Sequence, residues 1–184
     1  MRYDAVPENA PTILAMEAVR RYDTRFGSVT LRPETREDEA FLYALFHGHT
    51  ARPLQRAGLD EATIDTMVRF QFRSQSSTHR TSFPDAIYSI IESNGEPIGR
   101  LIEADEGDCV YFVDFAFLPE RQAKGLGTAF IEQVADEWAA KDRPARVEVQ
   151  YHNEPSLKLC RKLGFVPIEE RSAGYLNLLR RAAP

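Results

Sequence analysis

The apolar positions of this chain change period from segment to segment, and each change marks an element. Val29 to Arg32 reads as a short strand ended by Pro33, which cannot donate to a ladder. Thr35 is a good N-cap, followed by Glu37, Asp38 and Glu39 where the helix dipole favours acid. Phe41, Leu42, Leu45 and Phe46 then repeat at helical spacing and predict a helix through Phe46. Residues 47–58, with Gly48, Pro53 and Gly58, read as loop. Ile64, Met67, Val68 and Phe72 predict a second helix from Asp60 to Thr78. Ala86 to Ile91 reads as a strand, Asn94-Gly95 as a hairpin turn and Pro97 to Ala104 as the return strand. A turn at 105–108 leads into a long strand over 109–118.

Past that strand the period returns to helical. Phe130, Val134 and Trp138 form one row and Ile131 and Ala135 the next, an apolar stripe on a helix reaching Lys141. Arg146 to Gln150 reads as a strand. Asn153 opens a short helix with Pro155 in its first turn, and Gly164 closes it. Residues 165–169 and 175–179 are two last strands, with a turn over 172–174. Residues 1–28 read as an N-terminal extension, in which Ile13 to Val19 fits a docking helix or an arm. The domain is expected over 29–184, a mixed α/β fold on a mostly antiparallel sheet flanked by helices.

Composition narrows the class of function. The chain has 184 residues, enough for one domain with a proper core, and is 43% hydrophobic and 28% charged, as soluble globular proteins are. No apolar run approaches the ~20 residues that span a membrane, and the N-terminus lacks the pattern of a secretory signal. The two cysteines, Cys109 and Cys160, are too few for a disulfide framework, and no metal-ligand spacing links them to histidine. The expectation is a cytoplasmic protein with reduced thiols, no metal and no membrane partner. A net charge of −5 argues against nucleic acid and is compatible with a cationic small substrate.

Candidate chemistry concentrates between the long strand and the helix after it, at Phe117-Leu-Pro-Glu-Arg-Gln-Ala-Lys-Gly-Leu-Gly-Thr128. A strand, a glycine-bearing turn and a helix N-terminus make an anion site. The first helical N–H groups lack intrahelical partners, the dipole adds positive charge, and glycine lets a phosphate approach the backbone. The dinucleotide fingerprint requires a third glycine, where this chain has Phe130, and usually follows the first strand of a fold. A phosphate-binding P-loop requires lysine after the last glycine, whereas Lys124 precedes Gly125. A plain helix start would need fewer glycines and donors than this.

Gln122-Ala-Lys-Gly-Leu-Gly127 resembles the Arg/Gln-x-x-Gly-x-Gly/Ala motif of the GNAT N-acetyltransferases. Asn153-Glu-Pro-Ser-Leu-Lys-Leu-Cys-Arg-Lys-Leu-Gly-Phe165 is similar to that family's second signature, in the same order and spacing. The resemblance covers about residues 29–180. It implies a GNAT-like acyl-CoA N-acyltransferase fold whose sheet splays at a cofactor cleft, with acetyl-CoA as co-substrate. It also implies direct attack by a small-molecule or peptide amine in a ternary complex. The strands that part would be 109–118 and 146–150. The pyrophosphate would lie on Gln122, Ala123, Lys124, Gly125, Leu126, Gly127 and Thr128, the pantetheine along main-chain groups near Phe117, and Asn153 and Ser156 would add cofactor contacts.

The same resemblance implies catalysis by proximity and by a backbone oxyanion donor. Asp114, an acid among apolar neighbours, is the candidate base, with a structural acceptor role as its other reading; Glu103 and Tyr111 are further options. The family's thiolate acid is a tyrosine, and Cys160 stands at its position. A thiol is more acidic than a phenol but shorter, and a small buried hydrophobe is its other reading. Tyr151 and His152 lie close by in sequence. His47, His49, Arg52, Arg69, Gln71 and Gln75 fall in the segments that cover the acceptor site in this family. The departure at Cys160 leaves a second reading, an acyl-CoA-binding sensor with little turnover. The fold also forms homodimers, often through its last strands, and serves many acceptors.

Overall fold

The computed structural model describes residues 19–122, 125–172 and 174–181. Among them an eight-stranded sheet runs in the order β1-β2-β3-β4-β5-β6-β8-β7. Its strands are β1 (Arg20–Thr24), β2 (Gly27–Pro33), β3 (Ile87–Ser93), β4 (Glu96–Asp105), β5 (Val110–Phe117), β6 (Ala145–Gln150), β7 (Val166–Ser172) and β8 (Tyr175–Arg180). Four helices join them: α1 (Glu39–Arg56), α2 (Glu61–Ser82), α3 (Leu126–Ala139) and α4 (Glu154–Lys162). Every neighbouring pair is antiparallel except β5 and β6. The fold is the mixed α/β, mostly antiparallel architecture that the sequence predicts.

Adjacent residues of a strand face opposite sides of a sheet, and Ile90 and Ile91 show how this divides the core. Ile91 joins Leu101, Phe112, Phe117, Phe130, Val134, Trp138 and Leu157 in one large cluster beneath α3 and α4. Ile90 packs with Leu42 of α1 and Phe72 of α2 on the other face. The α3 stripe read from the sequence is buried throughout.

Two expectations need correction. The sheet begins at Arg20, inside the segment read as an extension over 1–28. β1 pairs with β2 from Arg20↔Leu31 to Thr24↔Gly27, so the domain starts ahead of residue 29. Its charges hid it, because their partners lie far along the chain: Arg20 meets Glu103 and Glu137, and the Tyr22 hydroxyl donates to Glu137 at 2.5 Å. The helical pattern over 13–19 falls almost wholly outside the described residues. The second correction concerns residues 47–58, read as loop. A 3-10 turn, Arg36–Asp38, follows Thr35, and α1 then runs to Arg56 through Gly48 and Pro53. Ala51 packs on Ile64 and Val68 of α2, which holds this stretch helical against its local propensity. Gly48 lies close to the Pro119 ring, and a Cβ there would sit 3.0 Å from it, so the ring would have to shift slightly.

Candidate functional site

The site is built where β5 and β6 part. They pair in parallel only at Val110↔Ala145, Tyr111↔Arg146 and Phe112↔Val147. Beyond Phe112, β5 continues against β4 as far as Gly99↔Phe117, while Glu148, Val149 and Gln150 stay with β8. A register shift between Ile102 and Glu103 leaves Val113 as an extra residue at the fork, a bulge that bends β5 away. The result is an open V whose β5 wall, from Val113 to Phe117, has no strand partner on the β6 side.

At the outer end of that wall the chain turns through Pro119–Arg121 into α3. Gly125 is the α3 N-cap, with φ +83°, a left-handed conformation that favours glycine. No side chain caps this helix, and its first intrahelical bond runs from Ala129 N–H to the Gly125 carbonyl at 3.1 Å. The N–H groups of Leu126, Gly127 and Thr128 are therefore presented to an incoming anion. Gly127 serves packing instead. A Cβ on it would lie 3.2 Å from the Phe117 ring, so its absence lets α3 close on β5. Ala123 and Lys124 lie outside the described residues.

The buried Phe117 ring meets Phe115 and Phe130 edge-on, with centroids 5.3 and 6.1 Å away. Its carbonyl is already engaged. His49 Nε2 lies 2.8 Å from that oxygen, and the Gln122 side-chain amide donates to it at 2.9 Å. Gln122 thus braces the strand end with His49 of α1. Asn153 caps α4 by accepting from the Ser156 N–H at 3.3 Å, at the mouth of β6. The groove of about 470 Å³ lined by Arg36, Tyr43, Arg69 and Phe72 contains no residue of β5, β6 or the α3 N-terminus. That groove therefore lies apart from the β5–β6 fork.

The apolar surroundings expected for Asp114 are not what it has. Ile90, Arg100 and Ala116 lie opposite one another across β3, β4 and β5, on the face covered by α1 and α2. Asp114, two residues along from Ala116, shares that face and forms an ion pair with Arg100, whose Nε donates to it at 2.9 Å. Glu103, 1% exposed, is on the opposite face, bound by Arg20 and by Trp138 Nε1. Burial pushes the Tyr111 phenol up to about 12, and its ring is covered by Arg146.

One residue unmarked in the sequence joins this group. His79, in the last turn of α2, has a buried Nδ1 with no hydrogen-bond partner among the described residues. Burial lowers its proton affinity; Asp114 opposes that shift and Arg100 reinforces it. The lowered pKa favours the neutral imidazole near Asp114 and Arg100. No sequence motif marks it, because its neighbours come from β4 and β5.

Cys160, a buried residue of α4, is 7% exposed in the large core cluster, and burial pushes its thiol up to about 11. This is the packing role. Tyr151 and His152, at the end of β6, are exposed.

The family model for the acetyltransferase (GNAT) family matches residues 53–165, more than half of the chain and inclusive of both the α3 loop and α4. The chain belongs to the GNAT acetyltransferase family. Solved GNAT structures share its fold at low identity. The PaiA N-acetyltransferase of Thermoplasma acidophilum, in complex with coenzyme A, is 15% identical with a TM-score of 0.60, over 83% of this chain and 98% of that one. An acetyltransferase of Thermus thermophilus is 20% identical with a TM-score of 0.57, over 83% and 96%. The ribosomal-protein-S18-alanine N-acetyltransferase of Escherichia coli is 17% identical with a TM-score of 0.52, over 85% and 95%. No curated protein sequence gives a significant match. Among the described residues of this GNAT protein, no helix is long and apolar enough to cross a membrane.

Proposed function

We propose that this GNAT protein transfers the acetyl group of acetyl-CoA to a primary amine by direct attack in a ternary complex. The observation that carries the reading is the β5–β6 fork leading to an uncapped α3 N-terminus. Coenzyme A in the PaiA relative supports the same cofactor. The pyrophosphate would rest on the N–H groups of Leu126, Gly127 and Thr128, with Gln122 beside it. The pantetheine would follow the β5 wall of the V from Phe117 inward, and Asn153 and Ser156 would border it from α4. The oxyanion donor would be a β5 backbone N–H near the bulge at Val113. Rate would come chiefly from holding amine and thioester together. The acceptor is expected to be a small-molecule or peptide amine.

The test is release of free CoA thiol from acetyl-CoA with a panel of polyamines, amino acids, lysine peptides and N-terminal peptides. Turnover with at least one amine is the expected result. Tight CoA binding with no turnover on any amine would favour an acyl-CoA sensor instead.

His79 is the proposed proton acceptor, acting directly or through water, with Asp114 and Arg100 fixing its surroundings. His79→Ala is expected to lower kcat about a hundredfold, the usual size of a lost general base, with acetyl-CoA affinity unchanged. A base works only unprotonated, so wild-type kcat/KM should fall as pH drops through the lowered imidazole pKa. The variant should lose that acidic limb. An unaltered pH profile in His79→Ala would remove His79 from the mechanism.

Cys160→Ala is expected to keep most of the turnover, because a core thiol of raised pKa is a poor acid for the leaving thiolate. A loss of several hundredfold in kcat, with fold and cofactor affinity intact, would reverse that assignment.

A further inference from the structure

The β1–β2 hairpin runs beside α3 towards its N-terminus. Arg20 and Tyr22 meet Glu137, Gln133 donates to the Asp23 carbonyl at 3.1 Å, and Tyr22 packs edge-on against Phe130 at 5.3 Å. The tip, Arg25-Phe26, is closed by Thr24, whose hydroxyl donates to the Gly27 carbonyl at 2.8 Å and accepts from the Phe26 N–H at 3.0 Å. This tight tip lands on the anion loop. The Phe26 Cζ is 2.7 Å from the point where a Cβ of Gly125 would be, and an Arg25 terminal nitrogen is 3.7 Å from the same point. The Arg25 guanidinium lies over the Phe26 ring, 4.8 Å from its centroid. Among the described residues no carboxylate pairs with Arg25.

We infer that Arg25 is a specificity-determining residue of the cofactor site, supplying a guanidinium to the pyrophosphate of coenzyme A opposite the α3 N–H groups. The inference rests on the acetyl-CoA reading above. An aromatic platform fixes the guanidinium, and a planar cation with several donors suits a phosphate better than a freely rotating ammonium. The β1–β2 hairpin thus makes the site select the full coenzyme over shorter pantetheine thioesters.

Calorimetric titration of wild type, Arg25→Met and Arg25→Lys with CoA, 3′-dephospho-CoA and pantetheine tests this. Methionine keeps an apolar stem over Phe26, so the fold should hold, and thermal unfolding of each variant checks it. Arg25→Met is expected to weaken CoA and 3′-dephospho-CoA alike, on the order of tenfold, with a shallower salt dependence. Pantetheine binding should not change, and Arg25→Lys should recover part of the loss. Equal CoA affinity in Arg25→Met and wild type would overturn the inference while leaving the acetyl-CoA reading intact. Loss for CoA that spares 3′-dephospho-CoA would place Arg25 at the 3′-phosphate and overturn the pyrophosphate assignment. Wild-type protein that binds no CoA would sink both readings together.

Discussion

Gly125→Asp is expected to abolish coenzyme A binding while the protein stays folded. Position 125 is the left-handed N-cap of α3, and in the proposed site its neighbours' N–H groups would hold the pyrophosphate. An aspartate there acts twice. Its carboxylate can accept from those N–H groups as an internal cap, and it sets a like charge against the phosphates. Two unit charges about 4 Å apart at an effective dielectric near 20 repel by roughly 4 kcal/mol, so a loss of at least about a hundredfold in affinity is expected. The left-handed backbone costs a non-glycine residue roughly 1–2 kcal/mol, and the new cap returns about 1 kcal/mol, so thermal unfolding should move only a few degrees. The new Cβ also displaces Phe26, whose ring Cζ stands 2.7 Å from its position. Gly125→Ala separates the terms: it keeps the strain and the displacement without the charge, and its loss should be much the smaller. Undiminished CoA affinity in Gly125→Asp, measured by calorimetry, would refute the site.

The parts of this architecture that were legible in the sequence are those fixed by local chemistry. Asn94-Gly95 forms the predicted hairpin turn, with φ of +54° and +77° at its two central residues. Asn153 does cap α4, and the α3 stripe does face the core. The two glycines of the loop were legible as a pair but not in their separate roles. Gly125 supplies a backbone conformation, whereas Gly127 makes room for Phe117, a contact that exists only once α3 lies on β5. What was hidden depends on long-range register. Arg20 finds Glu103 83 residues away. Arg100 reaches Asp114 only through a β4–β5 register that contains the bulge, so Asp114 reads as an isolated acid in the sequence and is an ion-paired one in the fold. His79 and Arg25 are inconspicuous in the sequence for the same reason. Each lies outside any motif and is brought to the fork or the loop by an element whose placement is tertiary.

Arg20→Ala is expected to destabilise the fold by about 3–5 kcal/mol, the cost of leaving a buried charge without its partner. Glu103 is 1% exposed, with one oxygen accepting from Trp138 Nε1 at 2.6 Å and the other held by Arg20. Burial works against the Arg20 charge, but Glu103, with smaller help from Tyr22 and Glu137, raises its pKa on balance. For a domain of this size the loss corresponds to a fall in Tm of roughly 10 °C. Glu103→Gln keeps an acceptor for Trp138 and removes the orphaned charge, so Arg20→Ala/Glu103→Gln should be more stable than Arg20→Ala alone. That positive coupling in a double-mutant cycle is the signature of the pair. The consequence reaches the loop before α3, because Arg20 anchors the strand whose far end sets Arg25 and Phe26 on Gly125. Arg20→Ala should therefore also weaken coenzyme A at temperatures where the domain remains folded, whereas a substitution that destabilises the α1–α2 face, such as Phe72→Ala, should lower Tm without that effect. A Tm shift of only a degree or two in Arg20→Ala would mean that β1 adds little to the core, and the start of the stabilising sheet would move back to β2.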